Sequence, residues 1–250
     1  MGSGMFGRIS GIAIALLFAA LSASAQIPDT FENLQVLPKD VAKRDLVNTM
    51  RGFSGALGVR CAHCHVGKPD GSLDGMDFKS DDKETKRVAR AMMKMVRSIN
   101  TDHLAKLGRE TTLTVECSTC HRGLARPARI DAVVAQELTE KGPEAAVARY
   151  RALREEHYGD GSYNFSEGPL NQLGERLLAE PNVAGAVAIL TLNAEFHPEA
   201  AWTQYLLGDA YRTTGDVERA KASYKRSLEL APDNPRAKKR LEELEPPPAQ

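Results

Sequence analysis

Apolar residues are distributed along this chain in three different ways. After Arg8 comes ISGIAIALLFAALSASAQ, an apolar run with no polar face. In the middle of the chain, DLVNTMRGF and SDDKETKRVARAMMKMVRSINTDHL carry apolar positions at three- and four-residue intervals, a spacing that predicts helices. The second of these has Asp81 as its N-cap by pattern, with Glu84 three residues on. Pro127 marks a change of composition. From Asp131 onward the chain is rich in Ala, Leu, Glu and Arg with helical periodicity and no cysteine. The expected fold class is therefore all-α.

The first run has a basic residue, an apolar stretch of roughly ten residues and the small residues Ala23-Ser24-Ala25, the pattern of a secretory signal peptide. It is shorter than the roughly 20 apolar residues that span a bilayer. Cleavage before Gln26, no retained transmembrane span, and a periplasmic or extracellular location are expected. The C-terminal half repeats. Leu207, Gly208, Tyr211, Gly215, Ala220, Tyr224 and Pro232 follow the 34-residue helix-turn-helix pattern of tetratricopeptide repeats, and Leu173, Gly174, Ala186, Leu190 and Pro198 fill like positions one period earlier. A weaker third copy lies at Ala146 and Tyr150. Between it and the others, EEHYGDGSYNFSEGPL breaks the period, and Tyr163 and Phe165 within it are expected as exposed contacts. Trp202 is expected in packing, and the PPPAQ end as a frayed tail.

Charge narrows the partners. Lys+Arg 33 against Asp+Glu 33 leaves a formal balance of zero, with no basic field for nucleic acid. The 250-residue length fits one or two domains.

The four cysteines change the picture most. They form Cys61-Ala62-His63-Cys64-His65 and Cys117-Ser118-Thr119-Cys120-His121, with none left over. Both are C-x-x-C-H, the attachment signature of c-type haem. Two thiols three positions apart on a helical turn can each reach one vinyl group of a single porphyrin, and the next residue then offers an imidazole to the iron. A four-thiolate zinc site does not call for a histidine after each pair, and a redox dithiol needs one pair only. Two covalently attached haem c groups are expected, held by Cys61, Cys64, Cys117 and Cys120, with His65 and His121 on the irons. For the sixth ligands, Met50 precedes the first motif, while Met92, Met93 and Met95 precede the second. Met92 and Met95 share a helix face, but periodicity does not choose among the three. His63 is read as an incidental loop residue, His103 as a residue beyond the methionine helix, and Arg122 as a solvated arginine. Lys83, Lys86, Arg87 and Arg90 are read as the wet face of an amphipathic helix.

At these residues the chain resembles a known family. ALGVRCAHCHVG, TKRVARAMMKMVRSIN and VECSTCHRG, within about Leu34 to Pro127, are similar to the cytochrome subunit of photosynthetic reaction centres and its non-photosynthetic relatives. The resemblance implies a repeated unit in which a helix supplies Met and a C-x-x-C-H supplies His. It places Met50 in the first unit and Met92, in R-x-M-x-x-M, in the second, with His65 and His121 as proximal ligands. The full subunit of that family holds four haems, one with a histidine as sixth ligand. This chain has two motifs, and His103 sits at a different offset from that histidine. The resemblance thus implies a stand-alone dihaem relative.

The expected organisation is a signal peptide over 1–25, a dihaem cytochrome c domain of helices and long loops over 26–130, a tetratricopeptide-like helical repeat domain over 131–245 and a tail over 246–250. The expected role is an electron relay between redox partner proteins rather than an enzyme, because His/Met ligation closes both irons and no acid/base constellation accompanies them. The repeats would serve docking or self-assembly. The alternatives are a subunit of an extracellular cytochrome filament and a dihaem peroxidase in which one iron lacks its methionine.

Overall fold

The computed structural model describes residues 27–68, 72–107, 113–180 and 182–245. The expected signal peptide and tail lie outside them. Ten α-helices run through the described residues: α1 (Lys43–Leu57), α2 (Glu84–Ser98), α3 (Cys117–His121), α4 (Ile130–Lys141), α5 (Pro143–His157), α6 (Glu167–Ala179), α7 (Val183–Phe196), α8 (Ala201–Thr213), α9 (Val217–Leu230) and α10 (Pro235–Leu244). Extended pairing among them is confined to an isolated bridge between Val66 and Asp77. The fold is all-α, as the periodicity predicts. No described helix is long and apolar enough to cross a membrane. Residues 27–45 and 60–95 pack as one unit, and residues 46–59 and 96–245 as a second.

In the first unit, charge fastens α2. The helix begins at Glu84, so Asp81 lies outside it and is not its N-cap. The Asp81 carboxylate instead faces Arg90 at 2.8 Å and Lys86 at 3.4 Å, and accepts from the amides of Asn33 at 2.9 Å and Gln35 at 3.1 Å. Lys86 is only 8% exposed, and its ammonium also donates to the Phe78 and Ser80 carbonyls at 2.8 and 2.7 Å. Arg90 reaches the Asn33 carbonyl at 3.1 Å, and Arg87 the Asp81 carbonyl at 2.5 Å. The expected wet face is thus an anchoring face. The carbonyls of Phe78 and Ser80 before α2 and of Asn33 need donors, and Lys86 and Arg90, four residues apart on one side of the helix, supply them.

A pH dependence follows. Arg90 first, then Asn33 and Lys86, hold the Asp81 carboxyl well below the usual carboxylate range. Because the folded value is lowered, the stabilisation is present above the unfolded value and is lost as pH falls toward the folded one. The gap in melting temperature between wild type and Asp81→Asn is expected to narrow below about pH 4, where an unfolded aspartate protonates. Thermal melts from neutral to acidic buffer test this, and a gap that stays constant on acidification would refute it.

In the second unit the paired helices α6/α7 and α8/α9 show the repeat physically. A Cβ on Gly208 would stand 2.5 Å from the Tyr224 ring, and one on Gly174 would stand 2.5 Å from Leu190. Each glycine therefore lets a large side chain of the partner helix seat against its backbone. Asn182 and Asp216, equally one period apart, cap α7 and α9 by accepting from Gly185 and Arg219 amides. Ala146 and Tyr150 of α5 are buried in the same core, and Trp202 stacks on Tyr205 at 4.8 Å while donating to Glu175 at 2.8 Å.

One expectation fails here. Phe165 is buried, and Tyr163 packs against the core rather than standing out as a contact. The segment between α5 and α6 turns inward because its aromatics close over Tyr150. The Phe165 ring lies 5.7 Å from that of Tyr150 and 5.8 Å from that of Tyr163.

Candidate haem-attachment sites

In the second unit, Cys117 and Cys120 lie one turn apart on α3, and His121 ends the helix. Asn100, from a π-helical turn (Ile99–His103) that continues α2, sets the approach. Its amide donates to the Val115 carbonyl and accepts from the Val115 N–H, both at 2.9 Å, as a backbone strand would. Thr119, one of the two residues between the cysteines, accepts the Glu116 N–H at 3.0 Å. The chain leaves through Arg122 (φ 47°) and Gly123 (φ 85°), a left-handed turn that brings the Leu124 carbonyl back to His121 Nδ1 at 2.8 Å. A carbonyl only accepts. The proton therefore sits on Nδ1, and Nε2 keeps the lone pair that a metal takes.

In the first unit, Cys61–His63 form a single 3-10 turn, and the Cys61 carbonyl accepts from the N–H groups of Cys64 (3.2 Å) and His65 (3.0 Å). The Val66–Asp77 bridge closes the following loop and brings the Phe78 ring edge-on to His65 at 5.1 Å. The start of α2 grips the motif itself. Thr85 donates to the His63 carbonyl at 2.5 Å, and Lys83 donates to the Ala62 carbonyl. His63 is thus engaged by Thr85 through its main-chain carbonyl.

The donor set fits covalently bound haem. All four cysteines are free. Burial pushes the Cys64 and Cys117 thiols up, so both sulfurs carry their protons. Thioether formation needs that S–H, which adds across a vinyl group. Burial, then the charge of Lys86, lowers the His65 imidazole below its ordinary value, with the Phe78 carbonyl opposing. That carbonyl makes no hydrogen bond of standard geometry to His65 Nδ1, which is buried without a partner. The two histidine rings thus sit in different settings, Nδ1 of His121 tied to a carbonyl and Nδ1 of His65 buried without a partner.

Of the expected sixth ligands, Met50 is half-buried midway along α1, in the second unit. Met92 and Met93 are half-buried and Met95 is 44% exposed, all on the part of α2 that belongs to the first unit. Val88, Met92 and Met95 share one side of α2 with Thr85, and Val88 is 51% exposed, which leaves an apolar stripe of the kind a porphyrin face covers. His103 is exposed. Thr85, Phe78 and Asn100 are not legible in the sequence, because nothing local to them marks a partner 13 to 22 positions away.

A family profile described as photosynthetic reaction centre cytochrome C subunit matches residues 18–165, more than half of the chain, and a tetratricopeptide repeat profile matches residues 170–233. The chain is 28% identical over 192 residues to a photosynthetic reaction center cytochrome c subunit of Thermochromatium tepidum, covering 74% of this chain and 42% of that protein. It is 33% identical over 96 residues to cytochrome c-554 of Chloroflexus aurantiacus, covering 38% of this chain and 21% of that protein. It is 31% identical over 104 residues to the corresponding subunit of Roseobacter denitrificans, covering 41% of this chain and 26% of that protein. The chain spans less than half the length of each of these relatives.

Proposed function

The chain belongs to the photosynthetic reaction-centre cytochrome c subunit family, and from that premise we propose that it is an exported dihaem c-type cytochrome that relays electrons between protein partners. The observation that carries this reading is the second motif, where two thiols one turn apart precede a buried imidazole whose Nδ1–H is tied to a carbonyl. Haem, when bound, supplies an iron that changes its charge by one electron. The chain supplies the rest. Cys61, Cys64, Cys117 and Cys120 anchor two porphyrins, His65 and His121 each present a nitrogen, and Met50 and Met92 are the sixth ligands. His/Met ligation leaves no open position, and it raises the reduction potential relative to two histidines. The repeats, whose helices stack into a continuous surface, dock a partner protein or a second copy of the chain.

The optical spectrum of the oxidised protein tests the ligation. Met sulfur on ferric haem gives a weak far-red band, and that band is expected to fall by about half in Met50→Ala and in Met92→Ala, one of the two haems losing its thioether in each variant. An unchanged band in either variant would refute that assignment, and in Met92→Ala it would move the second haem's ligand to Met93, Met95 or His103.

A further inference from the structure

We propose that Ser162, from the segment between α5 and α6, is a positioning residue for the haem ligand His121, a role that rests on the haem reading above. The His121 ring is oriented by the Leu124 carbonyl, and that carbonyl is where it is because the chain turns through Arg122 and Gly123. Arg122 is the one non-glycine residue with positive φ among the described residues, so the turn is not one the local sequence prefers. Two hydrogen bonds from distant segments hold it. The Gly123 N–H donates to the Ala56 carbonyl of α1 at 2.9 Å, and the Ser162 hydroxyl donates to the Arg122 carbonyl at 2.7 Å.

Ser162 is itself fastened. It is 2% exposed, and its N–H donates to Asp160 Oδ1 at 2.7 Å. Asp160 Oδ2 pairs with His157 Nδ1 at 2.9 Å, at the end of α5. A chain of contacts therefore runs from α5 through Asp160 and Ser162 to the turn that aims His121. A firm Nδ1–H bond makes the imidazole a stronger donor at Nε2 and so favours the more positive iron. Loosening the turn weakens that bond and favours the reduced state.

The test uses the full-length, haem-loaded protein. Pyridine haemochrome comes first: fewer than two haems per wild-type chain overturns the haem reading itself, and this inference with it. With two haems present, spectroelectrochemical titration follows Ser162→Ala and Ser162→Thr. At the wild-type midpoint of one haem, Ser162→Ala is expected to move the reduced-to-oxidised ratio from 1:1 to about 3:1, the scale of one weakened neutral hydrogen bond. The other haem stays put. In the reduced, 15N-histidine-labelled protein, exchange of the His121 Nδ1–H is expected to quicken about tenfold, as local opening becomes easier. Ser162→Thr, which keeps the hydroxyl, retains both wild-type values. A folded Ser162→Ala with both readouts unchanged overturns the proposal, and so does a Ser162→Thr that shifts as far as Ser162→Ala. Should Ser162→Ala fail to fold, Asp160→Asn, which keeps the hydroxyl but removes the carboxylate behind it, is read by the same two measurements and the same criteria.

Discussion

Replacing Cys117 and Cys120 together by serine is expected to leave one haem per chain instead of two, seen as a halved haemochrome absorbance and as one haem mass missing from the intact protein. Attachment is an addition in which sulfur bonds to a vinyl carbon, the proton goes to the neighbouring carbon, and the double bond is lost. A serine hydroxyl is too poor a nucleophile for that addition. His121 would still offer its Nε2, but a single coordinate bond does not survive denaturation, whereas a thioether does. The first motif is held by contacts of its own, from Thr85 and Lys83 to the carbonyls of His63 and Ala62. Its haem is therefore expected to stay. A double variant that retains two haems, or none, would contradict independent attachment at the two motifs.

The second large effect concerns Gly58. Its φ is +65°, and a Cβ there would lie 2.0 Å from the carbonyl oxygen of Gly123. Neither backbone can yield without breaking the bond from the Gly123 N–H to the Ala56 carbonyl that supports the turn after His121. Gly58→Ala combines a left-handed penalty with overpacking against main chain, and is expected to cost roughly 3 kcal/mol or more. In a protein of this size that lowers the melting temperature by on the order of 10 °C. Gly75→Ala separates the two causes. Gly75 has φ +69° but nothing near its missing Cβ, so it carries the backbone penalty alone, about 1 kcal/mol. Equal melting temperatures for the two variants would show that the contact with Gly123 does not matter.

Much of this was legible in the residues because it is local. The two C-x-x-C-H motifs announce their chemistry within five positions, since thioether spacing and the following ligand are set by one helical turn. The repeats are legible for a related reason. A small residue facing a large one recurs at the same interval, and the structure shows Gly174 against Leu190 and Gly208 against Tyr224 making the same contact. The errors came where a polar or aromatic residue has a distant partner. Asp81 matches a capping pattern, but Arg90 and Asn33 compete for its carboxylate more effectively than a helix N-terminus does. Phe165 sits among Gly, Asp and Ser in an irregular segment, and it is buried because the rings of Tyr150 and Tyr163 close around it.

The sequence by itself determined the helical class, the 34-residue repeat and the cytochrome c family signature, because each is a matter of spacing along one chain. Only the tertiary structure decided which carbonyl orients His121, why Lys86 is buried and Arg90 tied down beside it, and that Ala56 and Ser162 both bond to the turn after the second motif. Apart from the bond between His121 and Leu124, three positions apart, those are hydrogen bonds between residues 6 to 67 positions apart, and a donor carries no mark of its acceptor until folding brings the two within about 3 Å.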